Sequence, residues 1–380
     1  MTLGPVGIIV LVHQNLSRSA QAIRHWAAAG CAVVVHVDTA VTASDHDHFL
    51  QELGDLTTVL FCARHRCEWG TWGMIAATQA ACEMMLAKFT DPKHFYLASG
   101  SCLPIRPVQD LIAYLGAHLS TDFIESTTVS DVPWSIGGLD KERFYLCFPF
   151  GWKQQRWLFD TAVRLQRAFG LKRPVPQGIT PHLGSQWWCL TRATVSAILT
   201  DPKRSIYERY FRWVWIPDES YFQTLVRGHS ARVESRSLTL AKFDTHGKPH
   251  VFYDDHLEVL RRSGCFVARK IWDGAEQLYT DFQMTTNTAV VAPDELNRLF
   301  AASAGRGRKG RVGLYMQSRF PHQDHRQPLT AAPYTVLEGF SDLFSQCQSW
   351  LTQATDRKKL RYTGICSPRI VPNFPITKPP

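Results

Sequence analysis

Short apolar runs alternate with amphipathic stretches over the first third of the chain. Gly7–His13 (GIIVLVH), Ala32–Asp38 (AVVVHVD), Thr58–Cys62 and His94–Ala98 (HFYLA) read as strands, because each is brief, bounded by polar residues and rich in Ile, Val, Leu or Phe. Between and after them, Ser17–Ala29, Asp45–Leu53, Ile75–Phe89 and Val108–Leu119 carry apolar positions at helical spacing. Strand–helix alternation with near-continuous apolar strands predicts an α/β fold with a mostly parallel twisted sheet covered on both faces. Ligands of such sheets bind beyond the carboxyl ends of the strands. Asp38 ends the second strand, and Ser99-Gly100-Ser101-Cys102 follows the fourth.

From about Asp131 the alternation fails. Aromatic and basic residues crowd RFYLCFPFGWKQQRW at 143–157, and a helix is expected over Trp157–Phe169. Gln186–Thr191 (QWWCLT) reads as a strand and Ala193–Leu199 as a helix. After about Gln283 the character changes to the basic run GRGRKGR (305–311), a helix-like stretch at 334–351 and a proline-rich end. This predicts a main domain over 1–280, with a nucleotide half near 1–130 and an acceptor half near 131–280, plus an extension over 281–380.

Composition adds limits. The chain has 380 residues, 45% hydrophobic and 20% charged, which is ordinary for a globular protein. No apolar run reaches membrane-spanning length, and the first strand lacks the basic flank and cleavage site of a signal peptide. None of the ten cysteines forms a C-x-x-C pair. Together these features suit a reducing, cytoplasmic setting. The net charge of +9 suits nucleic acid, anionic lipid or a phosphorylated substrate. Residues 305–311 read either as a solvated loop or as a contact to an anionic membrane at its inner face.

No glycine-rich phosphate loop and no nucleophile elbow is present. Asp45-His46-Asp47 is the one candidate D-x-D pair for a divalent metal, but its place at the start of a helix favours a capping role, so no metal site is expected. In IPDESYFQTLV (216–226), Asp218 and Glu219 follow a proline and precede an amphipathic run that buries Tyr221, Phe222 and Leu225. Acids there suit a helix N-terminus, and one of them also suits a general base.

Several segments, in order, resemble the core-2/I-branching β-1,6-N-acetylglucosaminyltransferases and the related peptide O-xylosyltransferases. They are GIIVLVHQN (7–15), VVVHVD (33–38), CEWGTWGMIAAT (67–78), FYLASGSCLPIRP (95–107), LGSQWWCLTR (183–192), PDESYFQTL (217–225) and CFVARK (265–270). The resemblance runs over roughly residues 6–275 and leaves about 280–380 uncovered. It implies a GT-A-like, inverting, metal-independent glycosyltransferase that moves N-acetylglucosamine, or alternatively xylose, from a UDP-sugar to a hydroxyl of a glycan or lipid-linked glycan. A bacterial member is implied, with no cofactor and no nucleic-acid partner. The family's base falls on Glu219. Its diphosphate-binding cations fall on Lys270, with Arg269 adjacent, and on Arg236, with Arg232 an alternative. Asp38, Val12 and His13 fall at the nucleoside. Asp218, Trp187 and Trp188 are candidates for substrate contact, although both tryptophans also suit packing. The chain departs from the family at Cys102, where many relatives carry an acid in S-G-x-D-x-P. A non-catalytic glycan- or nucleic-acid-binding module on the same scaffold is the reading from another class.

Overall fold

The computed structural model describes residues 4–132, 138–243, 249–281 and 289–303. The expected alternation is present: β1 (Val6–Val12), α1 (Leu16–Ala28), β2 (Ala32–Val37), α2 (Ala43–Glu52), β3 (Val59–Phe61), α3 (Gly73–Lys88) and β4 (His94–Ser99). Then follow β5 (Leu103–Pro104), α4 (Val108–Gly116), β6 (Asp122–Phe123), β7 (Thr127–Thr128), α5 (Leu139–Glu142), α6 (Arg156–Ala168), β8 (His182–Leu183) and β9 (Cys189–Thr191). The chain continues through α7 (Arg192–Leu199), α8 (Arg204–Phe211), α9 (Tyr221–His229), β10 (Val233–Glu234), β11 (Thr239–Ala241), α10 (Leu257–Arg262), β12 (Val267–Arg269), α11 (Glu276–Asp281) and α12 (Pro293–Ser303).

Seven strands form one sheet in the order β10-β6-β9-β4-β1-β2-β3. β1 runs parallel to β2 and β4, while β9 runs antiparallel to β4 and β6. All seven residues of β1 and all six of β2 are buried. A strand buried on both faces has no polar side to alternate with, which is why these segments read as unbroken apolar runs. Helices α1 and α4 cover one face through Ile23, Trp26 and Leu111, and α3 covers the other through Ile75, Cys82 and Met85.

A smaller sheet, β11-β12-β5, seeds a third cluster that includes Leu240, Phe252, Leu260, Ala268 and Leu278. The segment after residue 281, set apart by sequence as an extension, returns to this cluster: Leu296 and Phe300 of α12 are buried in it. The basic run at 305–311 and the helix expected at 334–351 lie outside the described residues. Among the described residues no helix is long and apolar enough to cross a membrane.

Candidate active site

The carboxyl ends of β1 and β2 lie side by side, with Val12 paired to Val37 in register. The next residues, His13 and Asp38, therefore leave the sheet together, and Asp38 N–H donates to Val12 O at 2.8 Å. Asp38 is buried, and its carboxylate is held in place. Oδ1 accepts from Ala40 N–H at 2.7 Å, and Oδ2 from Cys67 N–H at 3.0 Å. Val12 is also buried, whereas His13 is exposed at the rim.

Two cations complete this edge. β12 pairs antiparallel with β5, which brings Arg269 and Lys270 beside the turn that follows β4. Ile271 N–H donates to Ser101 O at 3.0 Å, and Phe252 N–H to Lys270 O at 2.7 Å. Partial loss of solvent at this crowded rim lowers the His13 pKa, and the positive charges of Lys270 and Arg269 lower it further, against the pull of Asp38. Thus His13, Asp38, Arg269 and Lys270 share one electrostatic neighbourhood. The Arg269 guanidinium lies 4.1 Å from the centre of the Trp187 ring. Burial lowers its pKa as well, opposed by a hydrogen bond to Cys102 and by the charge of Asp218. Cys102, the departure from the family pattern, therefore sits directly against a candidate diphosphate cation.

The acid pair is held from the other side. Pro217–Glu219 form a single 3-10 turn, and α9 begins only at Tyr221, so the acids stand ahead of the helix and not in its first turn. The turn is entered through Ile216 at φ 52°. A β-branched residue in the left-handed region is strained, and such strain persists only where the surroundings enforce it. Here Ile216 N–H is tied to Gly70 O at 3.1 Å, and Trp215 packs edge-on against Trp69. Trp72, the second tryptophan of WGTWG, meets Tyr221 edge-on at 5.3 Å.

GSQWW supports the same turn. Gly184 N–H donates to Glu219 O at 3.0 Å. A Cβ on Gly184 would lie 1.6 Å from Glu125 O, so only glycine allows that approach. Gln223 Nε2 bridges Ser185 O at 2.7 Å and Asp218 O at 3.1 Å. Gly73 is fixed for a similar reason, since its Cβ would fall 1.9 Å from Arg66 O.

The partner of Glu219 was not expected. Arg143, 2% exposed, places Nη1 3.6 Å from Glu219 Oε2. Its Nη2 donates to Asp140 at 2.5 Å, and its guanidinium lies 5.3 Å from the Trp215 ring. The Glu219 side chain keeps 21% exposure, enough to meet a substrate. The one sequence signal for Arg143 is the Asp140/Arg143 spacing in LDKERF, which puts both side chains on one face of a helical turn.

The remaining predicted residues have surroundings of their own. Arg236 is paired with Glu234, donates to Tyr114 Oη, and lies 5.4 Å from the Phe123 ring. Arg232 lies exposed just ahead of β10. Trp188 is 2% exposed and packs on Phe222, so it presents no face to a ligand. Thr42 caps α2: its Oγ1 accepts from the N–H of Asp45, in the first turn, at 3.1 Å. Among the described residues no group of three or more His, Cys, Asp or Glu is placed to hold a metal.

A buried acid and paired cations at the carboxyl edge of a mostly parallel sheet, together with the Asp218–Glu219 turn, belong to an α/β protein of GT-A-like build. The family model for the core-2/I-branching enzyme matches residues 20–261, and the chain belongs to that family. It is a glycosyltransferase, and membership implies a UDP-sugar donor and a glycan acceptor. A second model, a family of unknown function (DUF5927), matches residues 269–360. No curated protein matches the chain. Among solved structures it is similar to a putative glucose-1-phosphate thymidylyltransferase from Bacillus anthracis in complex with a sucrose. That likeness has 12% identity and a TM-score of 0.27, over 55% of this chain and 83% of the other.

Proposed function

We propose that the chain is an inverting glycosyltransferase that needs no metal and moves N-acetylglucosamine from UDP-GlcNAc to a hydroxyl of a glycan acceptor. The convergence of His13, Asp38, Arg269 and Lys270 at the sheet edge carries this reading. Asp38 and the end of β1 hold the nucleoside. Glu219 takes the proton of the acceptor hydroxyl as its oxygen attacks the anomeric carbon, and UDP leaves with the bonding pair. The charge that builds on the diphosphate is met by Lys270 and Arg269, with Arg236 a further cation. Asp218, whose charge acts on Arg269, lies on the substrate side, while Trp187, only 5% exposed, backs Arg269 instead of meeting the substrate with its own face. UDP-xylose is the alternative donor.

The test is UDP release with UDP-GlcNAc and UDP-xylose in parallel, in excess EDTA. Glu219→Gln keeps the shape of the side chain and removes the proton acceptor. Transfer should fall about 10²–10⁴-fold while UDP affinity holds. Near-parental turnover by this variant would remove Glu219 as the base. Complete loss of parental activity in EDTA would restore a metal and with it Asp45 and Asp47. UDP binding without transfer to any hydroxyl acceptor would favour the non-catalytic module.

A further inference from the structure

We infer that α6 is a docking face for an anionic lipid surface. Helix α6 has three sides. Phe159 and Val163 are buried against Phe148, Trp215 and Ile216 and fix the helix to the body of the protein. At about 100° per residue, Trp157, Leu158, Leu165 and Phe169 fall together within about a third of the circumference. All of them face outward: Trp157 is 71% exposed and Phe169 74%, with Leu165 at 53%. Leu171, just past the helix end, extends the patch at 57%. A cluster of large apolar side chains this open is not an ordinary monomer surface.

The third side is basic, and its charge says what covers the patch. Between Trp152 and Arg173 the sequence carries Lys153, Arg156, Arg164, Arg167, Lys172 and Arg173 against a single acid, Asp160. Arg156 is paired with Asp160, and Arg167 with Glu142. Arg164 and Lys172 are exposed and have no carboxylate partner among the described residues. Trp, Leu and Phe flanked by Lys and Arg is the composition of a helix that lies in a headgroup layer: the rings enter the acyl boundary and the cations meet lipid phosphates. A second copy of the chain fits less well. A two-fold contact through this face would set its cationic flank against itself. Phe159 packs on Trp215 at 5.7 Å, and Trp215 lies just ahead of the Asp218–Glu219 turn. A docked α6 would therefore hold the acceptor side of the site close to the membrane surface.

Vesicle sedimentation with the full chain tests this. Vesicles of phosphatidylcholine with phosphatidylglycerol should bind the protein, pure phosphatidylcholine should bind it weakly, and salt should release it. Trp157→Ser with Phe169→Ser should weaken binding at least tenfold. Arg164→Gln and Lys172→Gln should each cost about fivefold. All four side chains are exposed, so UDP affinity should stay parental and report an intact fold. The inference is overturned if the parent ignores anionic vesicles or if the variants bind them as well as the parent. It is also overturned if the face instead mediates a dimer that Trp157→Ser with Phe169→Ser dissolves. Vesicle binding is independent of sugar chemistry, so its failure and failure of the transfer reading remain separable.

Discussion

Arg143 Nη1 stands 3.6 Å from Glu219 Oε2, an ion-pair distance too long for a good hydrogen bond, while Nη2 is anchored on the buried Asp140. The guanidinium therefore belongs structurally to Asp140 and electrostatically to both acids. Removing it leaves Asp140 buried with its main counter-charge gone. Arg143→Ala should cost about 3–5 kcal/mol in urea unfolding, and Arg143→Met with Asp140→Leu should recover most of that loss. An unchanged midpoint for Arg143→Ala would show that the pair does not support the turn.

The proposed diphosphate cations should be unequal. Lys270 and Arg269 act together on His13, whereas Arg236 already answers the charge of Glu234. A hydrogen bond to a charged group is worth about 1.5–3 kcal/mol, or about 10–100-fold in affinity. Lys270→Ala and Arg269→Ala should each weaken UDP binding by that factor in calorimetry, and Arg236→Ala by less. If Arg236→Ala had the largest effect, the clamp would be centred on β10 and not on β12.

The sheet was legible because its strands are buried on both faces and its helices obey one period. Beyond Asp131 the signal weakened for physical reasons. α8 lies in a stretch of aromatic and charged residues whose apolar side faces a core built by distant segments, with Tyr207, Tyr210 and Phe211 buried there. Glu219, the proposed base, was readable from PDESYFQTL, but the residues that hold it were not. Arg143 lies 76 residues upstream of it, and the strain at Ile216 is a property of the fold, not of local propensity. Trp187 and Trp188 are neighbours in sequence and both are buried in one core cluster, the first under Arg269 and the second beside Phe222. Both stand just ahead of β9, and composition alone does not say which of two buried rings backs a cation.

Lys242 gives the protein a pH dependence. It is fully buried, and burial lowers its pKa from 10.5 to about 7, with the Phe300 ring 4.3 Å from Nζ. The group is lowered on folding, so the unfolded chain holds the proton more tightly. The resulting penalty is complete below about pH 7, fades as pH rises, and is gone above 10.5. Lys242→Met should therefore raise the melting temperature most at pH 6, with the gain shrinking toward pH 10. A gain that did not change with pH would mean that the effect is packing and not charge.

Helix α12, inside the DUF5927 match that itself begins at Arg269, bears on Lys270 through the same corner. Phe300 of α12 is 2% exposed and stacks on His256 at 5.0 Å, and it meets Phe252 edge-on at 6.4 Å. Phe252 N–H in turn donates to Lys270 O at 2.7 Å. A chain ending near Gln283 would lose Leu296 and Phe300 from this cluster and open a cavity behind the cation. Loss of a buried phenylalanine side chain alone costs about 3–5 kcal/mol. Phe300→Ala should show that loss in urea unfolding, and the chain cut near Gln283 should show more, together with weaker UDP binding. A chain ending after Ser303 keeps the cluster and should bind UDP like the parent. If the shorter chain matched the longer one in both stability and UDP affinity, α12 would be an appendage, and Lys270 would owe its position to β12 and the 250–252 segment alone.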